Sequence, residues 1–296
     1  MKKLGFLILL LLCLFLIFMY KGSFFESNTN LPNVEVQKYD QHENDEAADR
    51  ESSENSKQVD VKEEQIYQGN LLLVNKKYPV HQKSIKSDVV NLYAHNDLVK
   101  GYGLLERTYL SEDIAHKFSD MMAAAGKEGV SNFFITSGFR DFDEQHKLYE
   151  EKGSDYALPA GYSEHNLGLS LDVGTTKMAM EKAPEGEWID QNAWKYGFIL
   201  RYPEDKTDIT GIQYEPWHIR YVGLPHSAIM KEKDFVLEEY LDYLKEKKKI
   251  SAKVEGKKYI VSYYPFSENM VIHIPENHEY KISGDNMDGI IVTVYE

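Results

Sequence analysis

Apolar residues follow helical spacing in some stretches of the chain and form short β-type runs in others. After Ser111 they recur at near-helical spacing as far as Gly126, so the pattern predicts a helix that begins at Ser111. Residues 132–136 form an apolar run that is typical of a core strand. A second helix is predicted over residues 143–152. Helices and strands are therefore expected side by side in this region.

The second half of the chain carries two further helical patterns and then changes character. Residues 188–202 are predicted to be helical, and Pro203 would end that helix because proline cannot continue it. Apolar spacing over residues 235–244 predicts a final helix, and the lysines that follow suit the negative end of a helix dipole. Beyond it, three β-rich runs are separated by Pro, Asn and Gly, at residues 259–264, 271–274 and 290–294.

The N-terminal end carries an uncharged run from Leu4 to Tyr20, with Lys2 and Lys3 before it and Lys21 after it. Its length is at the short end of what crosses a bilayer, and the first two lysines would remain in the cytoplasm. A cleaved secretory signal is the alternative interpretation. We expect residues 1–22 to be a single membrane anchor, with the rest of the chain extracellular.

The region after this run is polar and acidic. Residues 23–64 contain few large apolar side chains that could offset the entropy of ordering, so a flexible acidic linker is predicted. Residues 40–64 alone hold ten acidic and three basic side chains. A catalytic domain is then predicted over residues 65–250, opening with an extended, buried segment at 71–74. Residues 251–296 are predicted to form a small β-rich unit.

Charge and cysteine content exclude several classes of function. A net charge of -14 argues against nucleic acid as the main partner, because phosphate binding requires clustered Lys and Arg. The only cysteine, Cys13, lies in the apolar run, so the folded part has no disulfide, cysteine-based zinc site or thiol nucleophile. No serine is followed three positions later by lysine, and the sequence contains no K-T-G, which argues against a serine peptidase of the penicillin-binding type.

Two short fragments, SEHNLGLSLD at 163–172 and EPWH at 215–218, combine residue types that bind metal. Zinc in a catalytic site takes three nitrogen or oxygen ligands from protein and keeps one position for water. The two fragments offer one such set: His165, Asp172 and His218. The chain has ten histidines, so either fragment alone is weak, but their joint presence favours a metal site.

Glu215 lies three positions before His218 and is not needed as a ligand. Because zinc lowers the pKa of its bound water, a nearby carboxylate can take the proton of that water as it attacks a carbonyl. The same proton can then pass to the departing amine. The sequence therefore predicts Glu215 as the general base of a hydrolytic site.

The pattern S-x-H-x-x-G-x-x-x-D followed by E-x-W-H resembles the zinc D,D-peptidases of the VanY, VanX and LdcB type. The resemblance also covers TSGFR at 136–140 and DEQ at 143–145. It implies an α+β fold in which a small antiparallel sheet carries the zinc site, with flanking helices and a short C-terminal β unit. It also implies one Zn²⁺ per chain on the three ligands named above, with Glu215 as the catalytic base.

Three more residues acquire roles through this resemblance. Arg140 matches the arginine that faces the scissile carbonyl, where a fixed positive charge stabilises the oxyanion. A structural ion pair is the alternative role. Gln145 and Ser163 match positions that help hold substrate, although such residues are often only turn or cap residues.

The resemblance implies a zinc-dependent, β-lactam-insensitive D,D-carboxypeptidase. Its partners would be the membrane and peptidoglycan precursor pentapeptides, from which it would remove the terminal D-Ala of D-Ala-D-Ala, contributing to resistance to vancomycin-type glycopeptides. No nucleic acid or protein partner is expected. Three alternatives remain open: a D,D-dipeptidase acting on free D-Ala-D-Ala, an L,D-carboxypeptidase acting on tetrapeptides, and a non-catalytic module that binds the cell wall.

Overall fold

The α-helices among the residues that the structure describes lie between residues 112 and 247. The structure, a computed structural model, describes residues 34–38, 56–105, 107–154 and 156–296. Six α-helices occur in these ranges: α1 (Glu112–Lys127), α2 (Phe142–Lys152), α3 (Pro184–Asn192), α4 (Thr207–Thr210), α5 (His226–Lys233) and α6 (Leu237–Lys247). None of the helices in this part of the chain combines the length and apolarity needed to cross a membrane. The expected membrane anchor, residues 1–22, lies outside the residues that the structure describes.

Helices α1 and α2 begin where their capping residues stand in the sequence. Ser111 accepts a hydrogen bond from the backbone N–H of Ile114 at 3.4 Å, which confirms the predicted start of α1. In α2, the Asp141 carboxylate accepts from the N–H of Glu144 at 2.8 Å, and the Glu144 side chain accepts from the N–H of Asp141 at 3.3 Å. This capping box sets where α2 begins, and Arg140 is the residue directly before the N-cap Asp141.

A five-stranded sheet forms the centre of the region that these helices surround. Its strands, in spatial order, are β4 (Tyr102–Leu104), β6 (Phe133–Ser137), β7 (Ser170–Thr175), β9 (His218–Tyr221) and β8 (Phe198–Leu200). The β4–β6 pair is parallel and the other three pairs are antiparallel. A separate pair, β3 (Val89–Asn91) and β5 (Tyr109–Ser111), lies alongside. The predicted α+β fold is confirmed.

The strand register in this sheet places site residues next to each other. Asp172 of β7 lies opposite His218 of β9, and on its other side it lies opposite Ser137 of β6. Residues directly opposite in antiparallel strands have their side chains on the same face of the sheet. Two residues that are 46 positions apart in the chain are thereby brought into direct contact.

A second, fully antiparallel sheet forms the C-terminal part of the protein. Its order is β1 (Val34–Lys38), β10 (Lys249–Val254), β11 (Lys257–Pro265), β14 (Gly289–Tyr295) and β13 (Glu279–Gly284). A further pair is formed by β12 (Val271–Pro275) and β2 (Ser56–Asp60). The three predicted β-rich runs are thus confirmed as β11, β12 and β14, and the pattern missed β10 and β13.

Strands β1 and β2 lie in the range for which the sequence predicts a flexible linker, residues 23–64. For these two segments the linker prediction is wrong, because each segment pairs with a C-terminal strand. Val34 and Val36 pack against one buried cluster of the C-terminal part, and Val59 packs against another. The average composition of the range is polar, which hides these short alternating runs.

The C-terminal sheet shares a buried core with the region that precedes it. One cluster joins Leu71 and Leu73 to Leu241 of α6 and to Val261 and Ile291 of the sheet. All the described residues fall within one compact unit, Pro32–Glu296. The structure therefore does not separate residues 251–296 from the predicted catalytic range.

The prediction of a helix over residues 188–202 is wrong beyond Asn192. Helix α3 ends at Asn192, a 3-10 turn follows over Ala193–Tyr196, and Gly197 then adopts a φ of +84°. A Cβ at Gly197 would lie 2.7 Å from the Tyr221 ring, so only glycine fits this close approach. The chain reverses there and continues as β8, which the helical pattern concealed.

We predict that the two parts unfold together, because they share a core. Ile291→Ala, in a strand of the C-terminal sheet, should lower the free energy of unfolding by about 3 kcal/mol through the cavity it leaves. All three tryptophans, Trp188, Trp194 and Trp217, lie outside the C-terminal sheet, but Trp194 packs against Val254 and Tyr259 of that sheet. In a Trp194→Phe background the signal comes from Trp188, in the core of the other part, and from Trp217 in the cleft. Denaturant titration followed by tryptophan fluorescence should show the whole destabilisation.

The exposed Val271→Ala variant serves as the control and should leave the tryptophan transition within about 0.5 kcal/mol of wild type. An Ile291→Ala protein with an unchanged tryptophan transition and a separate, weakened β-sheet transition would show that the parts unfold independently.

Candidate active site

All seven predicted site residues line one cleft of about 540 Å³ beside the inner strands β7 and β9 of the central sheet. They arrive from different elements: Arg140 precedes α2, Asp172 lies in β7, and His218 begins β9. His165 lies in a 3-10 turn, Glu164–Asn166, just before β7. The sheet therefore carries two of the three predicted metal ligands, and the turn beside it carries the third.

The donor atoms of His165, Asp172 and His218 lie within 4.8 Å of one another. Nε2 of His165 is 3.3 Å from one carboxylate oxygen of Asp172, and Nδ1 of His218 is 2.9 Å from the other. Donors about 2.1 Å from a tetrahedral zinc lie about 3.4 Å from one another. The spacing and the donor types therefore fit a single zinc ion.

Hydrogen bonds on the far side of each imidazole fix which nitrogen faces the cleft. Nδ1 of His165 lies 2.7 Å from the Gly138 carbonyl oxygen, which can only accept, so Nδ1 donates and Nε2 keeps its lone pair. Nε2 of His218 lies 3.5 Å from the Glu164 carboxylate, which leaves Nδ1 to face Asp172. Both imidazoles are therefore oriented as ligands by the protein.

Burial and the neighbouring charges shift the pKa values of His165, Asp172 and His218. Burial and the Arg140 charge lower the pKa of His165 and outweigh the opposite effect of Asp172. Burial acts to raise the pKa of Asp172, but the two imidazoles outweigh it and hold that pKa well below its usual range. Burial also opposes charge on His218, yet its bonds to Asp172 and Glu164 raise its pKa to about 9. Binding of a cation therefore requires loss of the Nδ1 proton of His218.

Glu215 lies beside these ligands but is not one of them. Its carboxylate oxygen is 3.9 Å from Nδ1 of His218, and its backbone N–H donates to the Tyr202 carbonyl at 3.0 Å. Burial raises the pKa of Glu215, and the Asp172 charge raises it further, while His218 and Arg140 act to lower it. A carboxylate with a raised pKa at the edge of a metal site is suited to accept and return a proton.

Arg140 is held rigidly at the cleft by neutral partners. Its Nε donates to the Gln145 side-chain oxygen at 2.9 Å, and its Nη1 donates to the Ser137 hydroxyl at 2.5 Å. Its backbone carbonyl accepts from the Asn166 amide at 2.7 Å, beside the turn that carries His165. The guanidinium is thus fixed by hydrogen bonds to uncharged groups, and its charge is directed to the cleft.

Gln145 and Ser163 have roles within the protein in addition to lining the cleft. The buried Gln145 amide accepts from Arg140 and donates to the Leu158 carbonyl at 2.7 Å. Ser163 accepts from the backbone N–H of His165 at 3.3 Å and caps the 3-10 turn. Gln145 therefore acts mainly on Arg140, while the Ser163 hydroxyl hydrogen remains available to a ligand.

Sequence reasoning missed a buried charge network behind the metal ligands. Glu164 is fully buried, with one carboxylate oxygen 2.8 Å from Nε of Arg201 and 2.8 Å from Nη1 of Arg220. Arg201 also pairs through both terminal nitrogens with Glu238, at 2.8 Å each. The Glu164 side chain that orients His218 is thus itself fixed by two arginines.

The charge state of Glu164 follows from this network. Burial acts to raise the pKa of Glu164, but the charges of Arg220 and Arg201 outweigh it and keep that pKa well below its usual range. The sequence did offer a signal, since Arg201 and Arg220 each stand in an apolar run, in FILRY and HIRYV; Arg201 directly follows β8 and Arg220 lies in β9. A charge within a core strand is stable only when it is paired.

We predict that Glu164→Gln destabilises the protein by about 3 kcal/mol, because it leaves buried arginine charge without its main counter-charge. Chemical denaturation monitored by circular dichroism would measure the change in the free energy of unfolding. The matched control is Glu150→Gln, on the exposed face of α2, which should change it by less than about 0.5 kcal/mol. Equal midpoints for Glu164→Gln and wild type would contradict this account of the network.

Comparison with known proteins agrees with the geometry. The family model described as "VanY: D-alanyl-D-alanine carboxypeptidase" matches residues 107–224, the range that contains all seven site residues. A D-alanyl-D-alanine carboxypeptidase of Enterococcus faecium is 61% identical over 296 residues, which are 100% of this chain and 97% of that protein.

Two solved structures extend the comparison to three dimensions. The vancomycin-resistance D,D-dipeptidase VanXYg, in complex with a D-Ala-D-Ala phosphinate analogue, is 33% identical, with a TM-score of 0.71 over 81% of this chain and 99% of that chain. VanYB in complex with D-Ala-D-Ala is 28% identical, with a TM-score of 0.50 over 58% of this chain and 97% of that chain. The chain belongs to the VanY family of D-alanyl-D-alanine carboxypeptidases.

Proposed function

We propose that the chain is a zinc-dependent D,D-carboxypeptidase that removes the terminal D-Ala from peptidoglycan precursors ending in D-Ala-D-Ala. One observation carries the proposal: the donors of His165, Asp172 and His218 converge within 4.8 Å in a cleft that Glu215 and Arg140 also line. Three protein donors are the set that catalytic zinc sites use, with a fourth position left for water or substrate.

Zinc bound by His165, Asp172 and His218 would supply a Lewis acid that lowers the pKa of water towards about 7 and polarises the scissile carbonyl. The protein's own contribution to ligation is orientation. Gly138 and Glu164 hold the imidazoles by their outer nitrogens, so both ligands are set before substrate arrives. Such partners typically strengthen metal binding and activity by about 10- to 100-fold.

Glu215 and Arg140 would divide the remaining work. Glu215, with its raised pKa, accepts the proton of the attacking water and returns it to the amine of the departing D-Ala. Arg140, fixed by Ser137 and Gln145, faces the carbonyl oxygen and stabilises the negative charge that develops there. No covalent intermediate is needed, which agrees with the absence of the serine-peptidase motif from the sequence.

The biological setting is also part of the proposal. Removing one D-Ala destroys the D-Ala-D-Ala end that vancomycin-type glycopeptides bind, so the activity would contribute to resistance. The uncharged run at residues 4–20 would hold the domain on the outer face of the membrane, where lipid-linked precursors occur.

A D,D-dipeptidase is the second candidate, favoured by the structural match to VanXYg. The two activities differ in substrate: the dipeptidase cleaves free D-Ala-D-Ala, whereas the carboxypeptidase cleaves the same bond at the end of a longer peptide. An L,D-carboxypeptidase would act on tetrapeptides. A single set of peptides therefore distinguishes all three.

We predict that the purified protein with zinc shortens a UDP-muramyl-pentapeptide by one alanine, and that a chelator stops the reaction until zinc is returned. Mass spectrometry of the products would measure it, with free D-Ala-D-Ala and the tetrapeptide as parallel substrates. A preference for the dipeptide or the tetrapeptide would replace the proposal with the corresponding alternative. No cleavage of any substrate would favour a non-catalytic wall-binding module.

We predict that Glu215→Ala keeps zinc but lowers kcat by about 100-fold or more, because the general base is lost. His165→Ala should lose both zinc and activity, because it removes a ligand. Metal content by atomic emission and kcat on the pentapeptide would be measured for both variants. A Glu215→Ala protein that hydrolyses the pentapeptide at the wild-type rate would remove Glu215 from the mechanism.

A further inference from the structure

The cleft contains one cation that the motifs do not include, Lys76. Lys76 lines the same cleft as Arg140 and the three candidate metal ligands, and it is exposed to solvent. Arg140 already uses Nε and Nη1 on Gln145 and Ser137. Lys76 is therefore a second positive charge on the cleft wall, and it takes part in none of the ion pairs found between the described residues.

The backbone around Lys76 is fixed by a side-chain turn. The side-chain oxygen Oδ1 of Asn75 accepts a hydrogen bond from the backbone N–H of Lys77 at 2.9 Å and another from that of Tyr78 at 3.1 Å. The N–H of Asn75 also donates to the Tyr78 carbonyl at 3.2 Å, which closes the turn. Lys76 therefore stands at the tip of a defined turn.

The C-terminal sheet holds this turn at both of its ends. Asn286, in the loop between β13 and β14, donates through its buried side-chain amide to the Leu73 carbonyl at 2.8 Å and to the Pro79 carbonyl at 3.0 Å. On the other side, the N–H of Val80 donates to the Gly161 carbonyl at 2.7 Å, next to the loop that lines the cleft. One asparagine thus ties the turn to the C-terminal strands.

We propose that Lys76 forms a subsite for a carboxylate of the peptide substrate, and that Asn286 positions it from the C-terminal sheet. The inference rests on the proposed function, since it requires an acidic peptide in the cleft. The carboxylates of Asp172 and Glu215 line the same cleft and would repel such a ligand. Arg140 is assigned to the scissile carbonyl, so a separate cation on the cleft wall has an electrostatic role towards the substrate carboxylate. Such a substrate offers a C-terminal carboxylate and, further along the peptide, a glutamate carboxylate, and the two test peptides distinguish them.

The neighbouring Lys77 provides a matched control. Its ammonium lies 4.9 Å from the centre of the Tyr78 ring and it is not among the residues that line the cleft. Lys76 and Lys77 have the same charge and similar exposure, and differ in whether they face the cleft. A general effect of surface charge would therefore appear in both variants, whereas a subsite would appear in only one.

The test compares Lys76→Ala, Lys77→Ala and Lys76→Arg in the zinc-loaded full chain on two peptides. One is an N-acetylated tripeptide ending in D-Ala-D-Ala, whose only carboxylate is the terminal one, and the other adds a γ-linked glutamate. Lys76→Ala should raise KM about fivefold with kcat changed less than twofold, as expected for loss of a partly exposed ion pair. Lys77→Ala should match wild type, and Lys76→Arg should restore KM to within twofold.

The two peptides identify the carboxylate. A rise in KM for both means that Lys76 binds the C-terminal carboxylate, and a rise only for the longer peptide means that it binds the internal one. Equal KM values for Lys76→Ala and Lys77→Ala on both peptides would overturn the proposal. Calorimetric binding of the same peptides to Glu215→Ala, with and without Lys76→Ala, tests the subsite even if the wild-type protein releases no D-Ala.

Asn286→Gly tests the positioning role separately, because glycine keeps the φ of +65° and removes only the side chain. It should raise KM towards the Lys76→Ala value, and the double variant should show no further rise, since both changes remove one interaction. A drop in thermal stability with unchanged KM would show that Asn286 serves the fold alone and would reject its positioning role.

Discussion

One buried carboxylate, Glu164, sets the arrangement on which the site depends. It pairs with two fully buried arginines and also orients His218, so the pairing of charges in the core and the geometry of the candidate metal site depend on the same side chain. Arg201 carries the network to α6, and Arg220 donates to the backbone of residues 70–72. Segments far apart in the chain are therefore held in place by the same charge that holds the ligand.

The sequence predicted seven residues that line the site, but it did not predict the buried carboxylate that orients His218. The two short fragments that contain His165, Asp172, His218 and Glu215 together predict metal binding and proton transfer. The structure brings all four residues into one cleft. Glu164 lies in the first of these fragments, but the sequence predicted no function for it. Whether a charged residue is buried and paired depends on contacts distant in the chain, and local pattern does not contain that information.

The same limit applies to the fold. Helices α1 and α2 are marked by capping residues and apolar spacing, which are local signals, so their starts were predictable. Strands β1 and β2 are too short and too polar in their surroundings to be seen, because they are stabilised by pairing with strands near the other end of the chain. Gly197, whose close approach to Tyr221 turns a helical pattern into β8, is a further case in which tertiary contact decides the local structure.

The pairing of Asp172 with His218 restricts how this protein can change over evolution. Side chains alternate between the two faces of a sheet, so inserting or deleting one residue in β7 or β9 would move the carboxylate to the opposite face from its imidazole. Loops around the cleft can vary in length without that consequence. New substrate preferences are therefore accessible through loop changes, while the lengths of these two strands are fixed as long as Asp172 and His218 must stay in contact.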